Sequence, residues 1–363
     1  MQPAAVRPPD LPLEAGRRPS TAWYSILGIP VSVASNVAEA LERVDETYAA
    51  FRTSPGDSET ALSAPRRKYG VVWPSENQAA QGRREAAYQT GMWPTEDAEM
   101  RRFAAGQTAA YLRRGALRFE LRLVDGGRAF LGIDSGGVKR HRPDAQSALV
   151  DLLGAIVAAL LARLRSQGIY AIHAGAVVRD GRAAILAGRS GCGKTTLVLG
   201  LLRRGLGLLS DELAVVEPAT KRILPYRRSL HIRPGTPELV PELSFLQGMP
   251  QRRLGGGIEW ALTPRRLERA LPGCLAQAAP LSHVLLLEGV PSAAGAARIT
   301  PVPPALAAME LLRGTWAASV DFAGGLDRVG RLLGDVSCAR LEVAALEPTL
   351  DRVIEWLEAS DGR

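Results

Sequence analysis

Apolar positions along this chain fall into short runs of two kinds, and their order predicts most of the architecture. Residues 23–35 are rich in β-formers and predict a strand or two. Asn36 with Glu39 three residues later makes a capping box. Val37, Leu41, Val44, Tyr48 and Phe51 then recur at helical spacing and predict a short amphipathic helix. Residues 52–107 mix Gly, Pro, Ser and scattered charge and predict no definite element. Apolar and polar residues alternate over 116–134 on either side of Asp125-Gly126-Gly127, which predicts a β-hairpin.

From Ser147 to Gln167 the pattern is apolar throughout and stops at Gly168. It predicts a buried helix lying between two halves of the protein, with glycine in the C-cap position. Residues 169–188 read as strand, tight turn at Asp180-Gly181, strand. A helix follows over Thr195–Arg204, with Leu197, Val198, Leu201 and Leu202 on one face and Gly205 at its end. Residues 206–218 are an apolar strand interrupted by acids, and 219–226 return as its partner. Later strands are predicted at 283–290 and 339–346, and helices near Pro304–Thr315 and Thr349–Glu358. The sum is an α/β protein in three parts: a proline-rich leader over 1–20, a smaller N-terminal α+β domain over 21–145 with nothing catalytic in its pattern, and a larger domain over 146–363.

Composition narrows the function classes. Arginine and lysine total 45 against 37 acids, for a net charge of +8, yet only Lys68, Lys139, Lys194 and Lys221 are lysines, leaving 41 arginines. Such a bias reads as base composition of the genome more than as a partner. The arginine pairs at 66–67, 83–84, 101–102, 113–114, 203–204, 227–228, 252–253 and 265–266 are scattered without aromatics and read as solvated surface rather than a nucleic-acid site, with binding of an acidic peptide or a nucleotide by some of them as the alternative. The three cysteines, Cys192, Cys274 and Cys338, form no CxxC pair, and the four histidines no HxxxH pattern, so neither a disulfide framework nor a cysteine-based zinc site is expected. The N-terminus lacks a signal-peptide core, and the longest apolar run, Leu152 to Ala162, is too short to span a bilayer. The expectation is a cytoplasmic protein with no membrane partner.

The chemistry concentrates in Gly188-Arg189-Ser190-Gly191-Cys192-Gly193-Lys194-Thr195, which satisfies G-x-x-x-x-G-K-[ST] between a predicted strand and a predicted helix. Glycines let such a loop curl until successive backbone N–H groups point at a phosphate, and the following helix adds its positive end. Lys194 is expected to reach the β- and γ-phosphates and Thr195 to ligate Mg²⁺, with Thr196 continuing the nucleotide-binding stretch. Cys192 at the helix start is weighed as a nucleophile and set aside, because a bound nucleotide would cover it. Asp211 and Glu212 follow an apolar strand 17 residues beyond Lys194, where a metal-supporting acid and a base are needed for phosphoryl transfer.

Residues 170–217 resemble the core of the HPr kinase/phosphorylase C-terminal domain, a P-loop nucleotide-binding fold shared with phosphoenolpyruvate-carboxykinase-like proteins. The match rests on a histidine start at His173, a hairpin, the glycine loop, a helix ending in Arg204-Gly205, and an acidic pair at the same spacing. The resemblance implies an ATP- and Mg²⁺-dependent serine kinase. In it Lys194, Thr195 and Asp211 hold phosphate and metal, Glu212 stands where the family has the aspartate that deprotonates the acceptor, and His173 matches an active-site histidine. A satisfied core histidine is the alternative for His173. The family's Glu-Ile-Arg-Gly-Leu-Gly loop is absent. Its nearest counterpart is His231-Ile232-Arg233-Pro234-Gly235, where Arg233 is read either as a charge stabiliser or as a surface arginine.

The chain is more similar to HPr-kinase-related proteins, some of them lasso-peptide-kinase-like, than to an enzyme that recognises HPr. The implied partner is a peptide or protein carrying an acceptor serine, with a homo-oligomer left open. A nucleotide-dependent ATPase switch and a small-molecule kinase are the alternatives. Arg252-Arg253 and the glycines after them are read as a mobile loop near the site or a plain surface loop.

Overall fold

The computed structural model describes residues 20–35, 38–54, 117–123, 129–133, 140–142, 168–254, 257–288, 296–313 and 322–361, with helical residues 152–154, 156–157, 160–161 and 164 before them. The chain divides into two compact units. One comprises 1–45 and 51–162; the other comprises 163–363 together with the short stretch 46–50.

In the first unit, β1 (Ser20–Ile26) and β2 (Ile29–Ser35) form a hairpin, with Leu27 and Gly28 at positive φ in the turn. The period-two pattern explains which face is covered: Ala22, Tyr24 and Ile26 are buried, and residues 21 and 25 between them are exposed. Helix α1 (Ala38–Tyr48) follows. Strands β3 (Leu117–Leu123), β4 (Ala129–Ile133) and β5 (Arg140–Arg142) complete a sheet in the order β1-β2-β3-β4-β5, in which β2 and β3 run parallel. The expected hairpin over 116–134 is present as the antiparallel pair β3–β4; its Asp125-Gly126-Gly127 turn lies outside the described residues. So does most of the expected helix over 147–167, of which Leu152, Ile156, Leu160 and Leu164 are helical and buried.

The second unit is built on a large mixed sheet. Its strands are β6 (Tyr170–Arg179), β7 (Arg182–Gly188), β8 (Gly207–Ser210), β9 (Leu213–Glu217), β10 (Arg222–Leu224), β14 (Ala279–Glu288), β15 (Arg298–Pro301) and β16 (Ser337–Glu342), in the order β10-β9-β6-β7-β14-β16-β15, with β8 pairing β6. Strands β7, β14 and β16 are parallel neighbours, and β6 and β15 are antiparallel to theirs.

Both faces of this sheet are covered, which is why its central strands read as unbroken apolar runs. Ala184, Leu186, Leu285, Leu287 and Leu341 point into a core shared with helices α2 (Lys194–Arg203) and α7 (Leu346–Asp361). The alternate residues Ala183, Ile185, Val284 and Leu286 point into a second core with α5 (Pro304–Arg313) and α6 (Phe322–Leu332). A three-stranded sheet, β11 (Leu230–Ile232), β13 (Gly257–Leu262) and β12 (Arg252–Leu254), adjoins the first core, with helices α3 (Thr236–Leu239) and α4 (Pro264–Ala270).

Two expectations change. The apolar stretch 206–218 is not one strand but two, β8 and β9, with Asp211 and Glu212 exactly at the break where neither strand holds the backbone. Arg252-Arg253, expected in a loop, lie in β12 and pair with Glu259 and Ile258, because the apolar alternation of β13 offers them an antiparallel partner.

Candidate functional site

Strand β7 ends at Gly188 and α2 begins at Lys194, so the loop that the spacing picks out joins a central strand to a helix. Gly191 and Gly193 have φ of +83° and +90°, a region that residues with a Cβ rarely enter. Gly188 is required for another reason. A Cβ there would stand 2.9 Å from the Leu287 carbonyl and 2.8 Å from the Cys192 sulfur. Arg189, Ser190 and Gly191 are exposed and Cys192 is buried against that glycine.

The Lys194 side chain is buried and folds back on the loop, its Nζ donating to the Gly188 carbonyl at 2.7 Å and the Arg189 carbonyl at 3.0 Å. Thr195 Oγ1 donates to Asp211 Oδ2 at 3.0 Å, while Thr196 turns to the Thr236 hydroxyl at 3.3 Å. The second Asp211 oxygen, Oδ1, is buried and has no hydrogen-bond partner.

Adjacent Asp211 and Glu212 are driven apart electrostatically. Burial, with the neighbouring Glu212 charge adding to it, pushes the Asp211 carboxyl up to about 6, against the pull of the Thr195 hydroxyl, Lys194 and Arg228. Burial also opposes the Glu212 charge, but Arg228, and after it His231, His173 and Lys194, outweigh it and hold that carboxyl below the usual glutamate range. The cation principally responsible is Arg228, whose Nη2 is ion-paired with Glu212 Oε2. His173 on β6 is held below the ordinary histidine value, chiefly by burial and then by Lys194, with Glu212 pulling the other way. The Glu212 carbonyl accepts from the Ala174 amide at 3.1 Å, fixing the acidic bend to the strand that carries His173.

Lys194, Thr195, Asp211, Glu212 and His173 therefore stand together, on β6, the start of α2 and the β8–β9 break. Arg233 does not join them through an ion pair: its half-exposed side chain pairs with Glu259 at 3.3 Å. Glu259 is itself buried and also faces His231 Nδ1 at 3.7 Å. The expectation that the arginine pair 227–228 is solvated surface is wrong for Arg228, whose side chain is 14% exposed and bonded into the site. Sequence reading missed Arg228, His231 and Glu259. The segment 225–229 has no regular secondary structure, so no periodicity marks which of its residues turn inward.

Among the described residues no group of three or more His, Cys, Asp or Glu could cage a metal. Thr195 and Asp211 do offer hard oxygen donors, one of them the orphaned Oδ1. Such a set suits a magnesium-like cation that keeps water and phosphate oxygens as its other ligands.

No family model and no curated protein matches the chain. A solved structure of the Hpr(Ser) kinase/phosphatase from Coxiella burnetii is similar at 14% identity over 52% of this chain and 98% of that one, with a TM-score of 0.23. At that score the likeness carries no argument about fold or function.

Proposed function

We propose that the protein is an ATP- and Mg²⁺-dependent kinase that transfers the γ-phosphoryl group to a hydroxyl, most simply a serine of a peptide or protein. The observation that carries this reading is the meeting of the Gly188–Thr195 loop with an orphaned, buried carboxylate oxygen on Asp211. A buried oxygen without a partner costs about 1–3 kcal/mol, and a cation at the phosphates would relieve it. The resemblance of residues 170–217 to HPr-kinase-like domains points the same way.

In this reading the loop amides and Lys194 bind the phosphate oxygens, with Nζ leaving the Gly188 and Arg189 carbonyls for a better-charged acceptor. Thr195 and Asp211 hold Mg²⁺, which when bound supplies neutralisation of charge on the β- and γ-oxygens. Glu212, ionised beside Arg228, orients the acceptor hydroxyl and takes its proton as the oxygen bonds to the γ-phosphorus and the bond to the ADP oxygen breaks. His173, uncharged at neutral pH, lines the same space without adding a competing cation.

Incubation with γ-labelled ATP and serine-containing peptides tests the reading. Label in a peptide is the expected result, and free phosphate alone would replace the kinase with an ATPase switch. Lys194→Ala should abolish ATP binding in a calorimetric titration. Glu212→Gln should keep ATP affinity within about threefold and lose about 10²-fold or more of transfer; undiminished transfer would remove Glu212 from the role of base.

A further inference from the structure

Glu212 is held by more than one arginine contact. Arg228 lies in the irregular segment between β10 and β11, where no ladder of backbone hydrogen bonds fixes it. It is nonetheless nearly buried, and a guanidinium loses no charge there because it faces Glu212. Behind it stand two tyrosines. Tyr226 and Tyr48 are almost fully buried, at 3% and 1% exposure, and both feel the charge of the Arg228 guanidinium. Tyr48 comes from the last turn of α1, within the stretch 46–50 that belongs to the second unit. That stretch is also bonded at the backbone: the Ser229 amide donates to the Thr47 carbonyl at 2.9 Å, and the Ser229 hydroxyl donates to the Glu46 carbonyl. Arg228 is thus followed directly by a residue whose amide and hydroxyl are tied to the carbonyls of 46–47, and preceded two positions earlier by the buried Tyr226.

We infer that Arg228 is a positioning residue that fixes the Glu212 carboxylate toward the acceptor, and that the Ser229 bonds to the Glu46 and Thr47 carbonyls fix the segment carrying Arg228 in turn, giving the 46–50 stretch a part in the chemistry. The inference rests on the kinase reading for the step that Glu212 performs, but its geometry does not. A carboxylate with one oxygen on a fixed guanidinium has its other oxygen aimed; with the guanidinium removed, it rotates freely about its side chain and the aim is lost.

The test reads transfer of label from γ-labelled ATP to a serine-containing peptide in the presence of Mg²⁺, calorimetric ATP affinity, and urea denaturation on the full chain. Arg228→Met should lower kcat by about 10–100-fold, as losses of supporting hydrogen bonds around reactive groups do, with ATP affinity and the KM for ATP changed by less than about threefold. Arg228→Lys should recover part of kcat, and Ser229→Ala, which removes the hydroxyl bond to the Glu46 carbonyl, should lose about threefold by loosening the segment that carries Arg228. The double variant Arg228→Met with Glu212→Gln should be no slower than Glu212→Gln alone, since the arginine acts through the glutamate. Additive losses, an unchanged kcat in Arg228→Met, or a loss confined to KM would each overturn the inference.

If wild-type protein binds no ATP, the kinase reading fails by itself and the urea arm still decides the network. Arg228→Met and Glu212→Gln should then couple in the unfolding midpoint, and strict additivity between them would show that Arg228 does not hold Glu212.

Discussion

At the residue scale the site works by separating like groups. Asp211 and Glu212 are neighbours in sequence with opposite fates, one carboxyl raised by burial and the other lowered chiefly by Arg228, so in the proposed kinase one amino-acid pair would supply both a metal ligand and an ionised base. Two of the thiols, Cys274 and Cys338, are governed chiefly by burial. Burial, aided by a hydrogen bond to Glu268, pushes Cys274 up to about 12, and burial pushes Cys338 up to about 11. Only the thiolate reacts with alkylating agents, so at pH 8 less than about one thiol in a thousand at either position is reactive. Iodoacetamide at pH 8 should therefore leave Cys274 and Cys338 unmodified in the folded protein and modify both in urea, as read by peptide mass spectrometry. Rapid labelling of either in the native state would contradict the described packing.

At the element scale, helix α2 is set by two closely packed glycines, and the two differ in what they tolerate. A Cβ on Gly175 of β6 would meet Val198 Cγ2 at 2.7 Å, and Val198 is a stiff, β-branched side chain of α2. A Cβ on Gly200 within α2 would meet only the ends of Leu350 and Leu346 on α7, at 2.9 Å and beyond. Gly200→Ala should therefore stay within about 1 kcal/mol of wild type, because helix propensity offsets the contact. Gly175→Ala should destabilise by about 1–3 kcal/mol and, by pushing α2 outward, weaken ATP binding as well. Urea midpoints and calorimetry on the two variants check both halves.

Much of this was legible in the residues. The strand-loop-helix context of Lys194 shows in the switch from β-rich residues to Leu197, Val198, Leu201 and Leu202 at helical spacing, and the acidic pair falls at the β8–β9 break. What stayed hidden has no periodic signal. Arg228 belongs to one of many arginine pairs until the irregular segment 225–229 brings it across to Glu212. Helix α6 mixes glycine and charge, Ala323-Gly324-Gly325 among them, in a way that masks its helical face.

At the scale of the whole molecule, the second unit is not one continuous stretch of sequence: 46–50 belongs to it by contact, although more than a hundred residues precede the rest. A chain beginning at residue 163 should then fold with a defect, missing the buried Tyr48 ring and the two carbonyls that receive Ser229. Loss of a buried aromatic costs about 3–5 kcal/mol, or roughly 10 °C in a domain of this size. Scanning calorimetry should show the truncated chain melting lower by about that amount than the corresponding transition of the full chain; equal melting temperatures would mean the stretch adds nothing. Exposed ion pairs such as Arg204 with Asp351 contribute little on this scale.

The parallel pairing of β7 with β14 sets a timetable for synthesis. The strand that ends in the glycine loop leaves the ribosome about a hundred residues ahead of its parallel neighbour, a lag of roughly 5–20 s at ordinary elongation rates. Helix α7, which covers the apolar face of α2, emerges later still. Throughout that interval Leu197, Leu201 and Leu202 have no lasting cover, so a nascent chain must keep the glycine loop beside a helix with a bare apolar face. Chaperone engagement and ribosome pausing downstream of residue 204 would act on this protein at that moment rather than at its N-terminus.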